Sequence, residues 1–155
     1  MKNYDEISHV RCREIQAPLV AAVLEGFSRA FGSEKAMDVA VRTIQDIARR
    51  DGEKSGREYG GSMRDLARLV RERWCRDGGM VIDVLEGSDE AFAFNVTRCG
   101  YAEAYERLGV KEYGACLSCC RDKPFAQGFN PRIRLERTQT IMEGALHCDF
   151  RYVLD

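Results

Sequence analysis

The sequence predicts an α+β protein in which N-terminal helices pack on a small, roughly four-stranded, mainly antiparallel sheet. Two observations support this fold class. Apolar residues recur every three or four positions through residues 5–75, which is the period of an amphipathic helix. After Gly78-Gly79 short segments alternate between apolar and polar residues, as strands with one buried face do. Helices and strands thus occupy separate halves of the chain.

Residues 1–77 are predicted to be mainly helical. Pro18 indicates either a helix that begins near it or a kink, and Ser33 is a suitable N-cap for the next helix. Ser62 and Asp65 have the spacing of a capping box and predict a further helix after Gly60-Gly61. The apolar face of the second helix comprises Ala36, Val39, Ala40, Thr43, Ile44, Ile47 and Ala48.

Residues 78–155 are predicted to carry the sheet together with short helices. Segments 80–86 and 91–97 are rich in β-branched or aromatic residues and flank the turn sequence Glu-Gly-Ser-Asp, which predicts a β-hairpin. Two short helices are predicted next, at 101–108 and 111–120.

The last part of the chain is predicted to turn at Asn130-Pro131 and to add two strands, at 132–139 and 146–154. Successive side chains of a strand point to opposite faces. In the last strand one face therefore carries His147, Asp149 and Arg151, and the other carries Cys148, Phe150 and Tyr152.

Length and charge limit the class of protein. With 155 residues and 45% hydrophobic content, one domain spanning residues 1–155 is expected. The 24 basic and 25 acidic residues produce no strong overall field, so neither nucleic acid nor an anionic membrane is an expected partner. The longest apolar run, 17–24, is too short to span a bilayer, and the N-terminus lacks a signal-peptide layout, so a cytoplasmic location is expected.

Seven cysteines without framework spacing make structural disulfides an unlikely use of these residues and draw attention to thiol chemistry. Three clusters place a cysteine near an arginine, and cationic neighbours lower a thiol pKa. The arginine fork also suits a carboxylate. The clusters are Asn95-Val-Thr-Arg-Cys99, Ser118-Cys-Cys-Arg-Asp122 and His147-Cys-Asp-Phe-Arg151.

Each of these residues also has a structural explanation. Cysteine is among the most frequently buried residue types, and an arginine commonly pairs with a nearby aspartate at the surface. A zinc site made from Cys99, Cys119 or Cys120, His147 and Cys148 is chemically reasonable, although one Cys-x-x-Cys pair is a weak signal. No other cofactor is expected. His9 is expected on the solvated surface of the first helix.

Several ordered blocks in the C-terminal part of the chain resemble one family. Taken together, they resemble the L-2-amino-thiazoline-4-carboxylic acid hydrolase family. One departure is Cys120, which stands where the family pattern has an asparagine. The blocks are Phe94-Asn-Val-Thr-Arg-Cys-Gly-Tyr-Ala-Glu103, Leu117-Ser-Cys-Cys-Arg-Asp122, Gly128-Phe-Asn-Pro131, Arg137-Thr-Gln-Thr-Ile-Met-Glu-Gly-Ala145 and Cys148-Asp-Phe-Arg-Tyr152.

The resemblance implies hydrolysis of a small-molecule substrate, the cyclic isothiourea 2-amino-thiazoline-4-carboxylate, to a carbamoyl-cysteine on the route to L-cysteine. Water or an enzyme thiolate adds to the C2 carbon between nitrogen and sulfur, and the tetrahedral intermediate expels the ring thiolate. Such a site needs an acid/base, a partner for the amidinium group and an anchor for the carboxylate. A covalent thiolate mechanism and an activated-water mechanism are both open.

Candidate residues for these roles follow from the resemblance and from the clusters. Cys99 is the first candidate for an activated thiol, because Arg98 precedes it and a helix is predicted to begin there. Cys119 and Cys148 are the next candidates. The candidate base is His147 or Asp149, the amidinium partner Asp122 or Glu103, and the carboxylate anchor Arg98, Arg121 or Arg151. Further substrate-binding candidates are Asn95, Thr97, Thr138 and Gln139.

A second function fits the same residues. The chain is alternatively a non-catalytic domain that binds a small molecule and uses its cysteines and histidine for zinc binding or redox sensing. In either case the sheet is too small to cover every apolar helical residue, which favours a homodimer.

Overall fold

The computed structural model describes residues 7–155 and begins with two long helices. Helix α1 spans His9–Phe31 and runs through Pro18 as one element, so no helix begins at that proline. Helix α2 spans Ser33–Tyr59. Gly32, with a φ of 91°, joins the two helices and is the N-cap residue of α2, so the assignment of Ser33 as the cap is wrong. The one-residue connection requires a positive φ, which glycine adopts without strain.

The third helix confirms the predicted capping box. Helix α3 spans Met63–Leu69 and continues as a π-helical turn, Val70–Trp74. The Ser62 hydroxyl accepts a hydrogen bond from the Asp65 backbone N–H at 3.1 Å, and the Ser62 N–H donates to the Asp65 carboxylate at 3.1 Å. These two bonds satisfy donors that the first helical turn leaves without partners.

The sheet confirms the predicted fold class. Strands β1 (Met80–Gly87), β2 (Ala91–Cys99), β3 (Ile133–Glu136) and β4 (Cys148–Leu154) lie in the order β1-β2-β4-β3, and every neighbouring pair is antiparallel. The predicted hairpin is the β1–β2 pair. Strand β3 is shorter than predicted, because the backbone N–H groups of Thr138 and Gln139 donate to the Asp149 carboxylate instead of continuing the ladder.

Short helices connect β2 to β3. They are α4 (Gly100–Arg107), α5 (Gly114–Leu117) and α6 (Asp122–Phe129), with 3₁₀ turns before and after α5. Helix α6 was not predicted, because Pro124 and Gly128 interrupt its apolar pattern. Pro124 is tolerated since it lies in the first turn, where its missing N–H has no intrahelical partner to lose.

Two clusters of buried residues make up the core. The inner face of the sheet packs against α3 and α6, and the stacked rings of Phe94 and Phe150, 4.9 Å apart, lie at its centre. A second cluster joins α1, α2, α4 and α5 around Tyr105. The α2 face predicted to be apolar is only partly covered: Ala36, Ile44 and Ala48 are buried, whereas Val39 is 64% exposed.

Within residues 7–155, no helix combines the length and the apolar character needed to cross a membrane.

Candidate functional site

A cavity of about 270 Å³ lies where the two core clusters meet. Its walls come from both halves of the chain: α1, the π-helical turn after α3, the ends of β2 and β4, and the segment that enters α6. Apolar side chains and ionisable groups line it together, the usual composition of a small-molecule site. The polar and reactive side chains that line it include His9, Arg13, Arg73, Cys99, Tyr101, Cys119, Arg121, Asp122, Arg137 and Cys148.

Local structure explains how the strands contribute. Cys148 and Phe150 alternate with outward residues along β4, so both face the core and reach the cavity. Cys99 ends β2 and is the N-cap of α4, where its sulfur accepts a hydrogen bond from the Ala102 N–H at 3.4 Å. The expectation that a helix begins at Cys99 is therefore confirmed.

Asp122 and Arg137 form an ion pair in the cavity wall, with side chains only 20% and 13% exposed. Arg137 also donates to the Cys119 carbonyl oxygen at 3.2 Å. Burial raises the pKa of Asp122 to about 6, because the loss of water outweighs the attraction of Arg137. Asp122 is therefore a carboxyl group that gains and loses a proton near neutral pH.

Two further arginines in the wall retain N–H groups without partners. Arg121 donates from Nε to the Leu117 carbonyl at 2.8 Å, while its buried Nη1 has no hydrogen-bond partner in the part of the chain that the structure describes. The buried Nε of Arg13 has none either. Burial lowers the pKa of Arg121 to about 10, which still leaves it charged at neutral pH. A buried cationic donor without a partner is costly, and an anionic ligand would satisfy it.

His9 lies in this wall, so its assignment to the solvated surface is wrong. Its Nδ1 is 2.8 Å from the Tyr101 hydroxyl, and its Nε2 is 3.4 Å from Arg13 Nη2. Burial, and then Arg13, Arg73 and Arg121, lower the pKa of His9 to about 3, so the imidazole is neutral at pH 7. The i,i+4 spacing of His9, Arg13 and the buried Ala17 was the available signal for an inward face.

Among the described residues, four cysteines line the cavity: Cys12, Cys99, Cys119 and Cys148. None of the three that were predicted as site residues, Cys99, Cys119 and Cys148, is activated by its arginine neighbour in the chain. Burial raises the pKa of Cys99 and of Cys119, and that of Cys148 to about 11. The expected lowering at Cys99 is absent because Arg98 turns outward and binds Glu103 at 2.7 and 2.6 Å. All three sulfurs are therefore protonated thiols at neutral pH.

Asp149 and Arg151, which were also predicted as site residues, lie on the outer face of the sheet. The Asp149 carboxylate accepts hydrogen bonds from Thr138 N–H (2.9 Å), Thr138 Oγ1 (2.6 Å) and Gln139 N–H (2.9 Å). Arg151 donates to the Phe94 carbonyl and to the Asn95 side chain, both at 2.8 Å. These contacts hold strands and a connecting segment together, on the side of the sheet opposite Cys148.

The cavity thus receives only part of the predicted set. It includes Cys99, Cys119, Arg121, Asp122 and Cys148, and it does not include Asn95, Thr97, Arg98, Glu103, Thr138, Gln139, His147, Asp149 and Arg151. His147 precedes β4, and its carbonyl accepts from Gln139 Nε2 at 2.9 Å. Shared polarity and sequence proximity suggested convergence, but strand alternation directs Asn95, Thr97, Asp149 and Arg151 away from the core. The other excluded residues lie outside the strands or, like Arg98, pair at the surface.

The zinc site considered from the sequence is not assembled. His147 lies outside the cavity that holds Cys99, Cys119 and Cys148. In the part of the chain described by the structure, no three His, Cys, Asp or Glu side chains are grouped as metal ligands. Cys120, the departure from the family pattern, lies outside the cavity, with its sulfur 2.8 Å from the Cys116 carbonyl.

Two solved structures share this fold. One is trafficking protein particle complex subunit 3 from Naegleria fowleri covalently bound to palmitic acid: identity is 12%, the match covers 92% of this chain and 96% of that chain, and the TM-score is 0.52. The other is the phenol-responsive sensory domain of the transcription activator PoxR with phenol: identity is 11%, coverage is 88% and 73%, and the TM-score is 0.50. At these identities the likeness concerns the fold alone.

Sequence comparison identifies the family more closely than the fold does. No curated protein matches the chain at a significant level. The family model described as L-2-amino-thiazoline-4-carboxylic acid hydrolase matches residues 12–152 of the 155, a range that includes Arg13 in α1 as well as the cavity residues of β4. Because the match extends over nearly the whole chain, this protein belongs to the L-2-amino-thiazoline-4-carboxylic acid hydrolase family.

Proposed function

We propose that the chain is a hydrolase that opens the ring of L-2-amino-thiazoline-4-carboxylate, or of a closely similar cyclic isothiourea acid, within the cavity between its two core clusters. The family membership supports this reaction class. The observation that carries the proposal is the combination, in one small cavity, of unpaired arginine donors and a carboxyl group that titrates near neutrality. The volume of about 270 Å³ suits a single small ring.

Arg121 and Arg13 are the proposed anchors for the substrate carboxylate. Each has a buried N–H group that finds no partner among residues 7–155. A carboxylate bound there would complete their hydrogen bonds and offset the mutual repulsion of the guanidinium groups. Arg137 is a weaker candidate for this role because it is already paired with Asp122.

Asp122 is the proposed acid/base. The oxygen of one water molecule bonds to C2 of the ring, Asp122 accepts a proton from that water, and the proton passes to the ring nitrogen. The C2–S bond then breaks as the hydroxyl on C2 becomes a carbonyl, and Asp122 carries the hydroxyl proton to the departing sulfur. The two protons of the water thus end on nitrogen and sulfur, and the product is a carbamoyl-cysteine with a free thiol.

The protonation states favour water over a cysteine as the nucleophile. A thiol attacks as its thiolate, and burial raises the pKa of Cys99, Cys119 and Cys148, the three cavity cysteines predicted as site residues. The thiols instead supply a compact, weakly polar wall beside the ring. His9 is neutral and bound to Tyr101, so it is proposed to position the substrate and not to exchange its proton.

Ligand binding without turnover is the second candidate. It is favoured by the protonated thiols and by the two proteins of similar fold, one of which is bound to palmitic acid and the other to phenol. In that case the cavity would hold a small anion and transmit its presence to a partner, as a sensor does.

Incubation of the purified chain with L-2-amino-thiazoline-4-carboxylate, followed by mass spectrometry, tests the proposal. We expect a product heavier by one water molecule and carrying one new thiol. Asp122→Asn should lose turnover and retain binding measured by calorimetry. Glu103→Gln is the matched control, because Glu103 pairs with Arg98 outside the cavity.

Two outcomes would separate the candidates. Tight binding with no ring opening, in wild type and in the control variant, would exclude the hydrolase and support the sensor. Ring opening that persists at the wild-type rate in Asp122→Asn would retain the hydrolase and remove Asp122 from its mechanism.

A further inference from the structure

A second feature, remote from the chemistry of the cavity, is an exposed apolar stripe on α1. Leu19, Val23, Phe27 and Phe31 follow one another at four-residue spacing, so they lie along one side of the helix. Their side chains are 71%, 46%, 51% and 66% exposed. A helix of a soluble monomer normally turns such a stripe toward its own core.

Helix α2 extends this stripe into a surface. Val39 and Ile47 are 64% and 37% exposed and belong to the helical face that the sequence predicted to be apolar. A groove of about 590 Å³ runs between α1 and α2, and of the described residues that line it only Lys35 and Thr43 have polar side chains. We call the surface formed by Leu19, Val23, Phe27, Phe31, Val39 and Ile47 the hairpin face.

The size of the hairpin face indicates a protein partner. With roughly 150–250 Å² for an aromatic side chain and a smaller area for Leu, Val and Ile, the exposed fractions of these six sum to on the order of 500 Å². A patch of about 300–600 Å² is the largest that a typical monomer exposes, and such a patch is often functional. A standard protein interface buries about 800 Å² per partner, which the six side chains and their immediate neighbours approach.

The charges around the hairpin face favour a second copy over a lipid surface. Residues 25–42 contain three acidic and three basic residues, so the rim has no cationic excess that would attract anionic lipid. Arg29 already pairs with Glu25, and Arg42 with Asp38, each within its own helix. Two identical rims of this kind do not repel each other.

We infer that the hairpin face is the interface of a homodimer, in which the α1–α2 hairpins of two copies pack across a two-fold axis as a four-helix bundle. A two-fold interface requires a surface that is complementary to itself, and an apolar ridge beside an apolar groove meets this requirement. In one copy, α1 and α2 packed together leave part of their apolar faces exposed, whereas the four helices of two copies enclose a common core.

The proposed dimer interface and the cavity are both formed in part by α1 and α2. Arg13 of α1 and Ser55 of α2 line the cavity, while the hairpin face lies along the remainder of both helices. The dimer would thus hold two elements of the cavity wall in place, yet its existence does not depend on which reaction the cavity performs.

Sedimentation-velocity ultracentrifugation of the full chain at about 1–100 µM tests the inference. We expect a mass of about 35 kDa, twice the 17.6 kDa of one chain. Phe27→Glu and Val39→Glu should each weaken the dimer at least about 30-fold, as substitutions at an interface hot spot do, and yield monomer. Both side chains are more than half exposed, so both variants should keep the wild-type circular dichroism spectrum.

Leu146→Glu is the matched control. Leu146 is the most exposed large apolar residue within 7–155, at 93%, and it lies just before β4, in neither α1 nor α2. This variant should remain a dimer. A wild-type chain that is monomeric at 100 µM would overturn the inference, whether or not it binds vesicles or another protein. So would a dimer that survives both Phe27→Glu and Val39→Glu.

Discussion

Arg121 combines a fixed position with an unused donor. Its Nε is held by the Leu117 carbonyl, and its Nη1 is buried in the cavity wall without a partner. Such a group contributes little to folding, because its charge is not compensated in the free protein. We therefore expect the Arg121 guanidinium group to contribute to ligand binding rather than to stability.

We expect Arg121→Met to raise the KM for L-2-amino-thiazoline-4-carboxylate about 10- to 100-fold, the effect of losing one hydrogen bond to a charged group. Stability should be unchanged or slightly improved. Steady-state kinetics and thermal unfolding measure the two effects. Arg98→Met is the control, since Arg98 is 54% exposed and outside the cavity. Equal KM values for both variants would contradict the assignment.

Asp122 determines the expected pH dependence. Its pKa is raised by burial to about 6, and only the deprotonated form can accept a proton. We expect kcat/KM to rise about tenfold per pH unit below pH 6 and to level off above it. His9 should add no second inflection to the pH–rate profile near neutrality, because its pKa is lowered to about 3. A wild-type pH–rate profile from pH 5 to 8 that shows no inflection would contradict the role of Asp122.

At the scale of elements, the approach of α6 to α2 depends on two glycines. A Cβ atom on Gly52 would lie 2.2 Å from the Phe125 carbonyl oxygen, and one on Gly56 would lie 2.3 Å from that of Phe129. Both contacts involve backbone atoms, which cannot rotate away. Since α6 begins at Asp122, this packing also positions the proposed acid/base.

We expect Gly52→Ala to lower the free energy of unfolding by about 1–3 kcal/mol, because the clash outweighs the better helix propensity of alanine. Gly26→Ala in α1 is the matched control: no atom lies within 4 Å of its added Cβ, so it should stabilise the protein by about 0.5–1 kcal/mol. Urea unfolding measures both. A neutral or stabilising Gly52→Ala would show that α6 can move away from α2.

The segment between β3 and β4 depends on Asp149. Burial alone would raise the pKa of this carboxyl, but its hydrogen bonds to Thr138 and Gln139 outweigh burial and lower the pKa below its ordinary value near 3.8. Its contribution to stability is therefore present above that ordinary pKa and is lost as the pH falls through the lower pKa of the folded protein.

Asp149→Asn should lower the free energy of unfolding at pH 7 by about 1.5–3 kcal/mol and leave kcat within a factor of two of wild type. Chemical unfolding at pH 7 and at pH 3 provides the measurement, and the difference between variant and wild type should shrink at the lower pH. Loss of turnover with unchanged stability would restore Asp149 to the catalytic role that the sequence suggested.

For the whole molecule, the cavity at the junction of the two core clusters links ligand binding to global stability. A ligand at 100 times its Kd adds about 2.7 kcal/mol to the free energy of unfolding. For a chain of 155 residues this should raise Tm by roughly 5–10 °C. Differential scanning calorimetry with and without L-2-amino-thiazoline-4-carboxylate measures the shift, which Arg121→Met should largely abolish. No shift at millimolar ligand would contradict binding in this cavity.

Features set by local chemistry could be predicted from the sequence. The Ser62–Asp65 capping box, the β1–β2 hairpin and the two faces of β4 depend on residues a few positions apart, and the structure confirms each. The predictions failed where contacts between residues far apart in the sequence determine the local structure. Helix α6 is stabilised by its packing on α2, and β3 ends early because Asp149, far along the chain, takes its next N–H groups.

The prediction of the candidate site likewise succeeded for local features and failed for features that depend on tertiary packing. Alternation along β4 correctly grouped Asp149 and Arg151 on one face, whereas His147, predicted to share that face, lies before the strand begins. Alternation also cannot say which face of the sheet meets a cavity. That depended on where the helices pack, and they cover the face of Cys148 and Phe150. The helices also supply His9, Arg13 and Arg73, whose roles have no signature within their own segments.

The sequence by itself therefore determined the α+β class, the presence of the sheet, the two faces of β4, and the family. Hydrophobic period and ordered motifs are properties of the chain alone. Only the tertiary structure decided the protonation states and the membership of the cavity. Burial controls both, raising the pKa of Asp122 and of the thiols, and burial arises only when segments far apart in the sequence close around the same space.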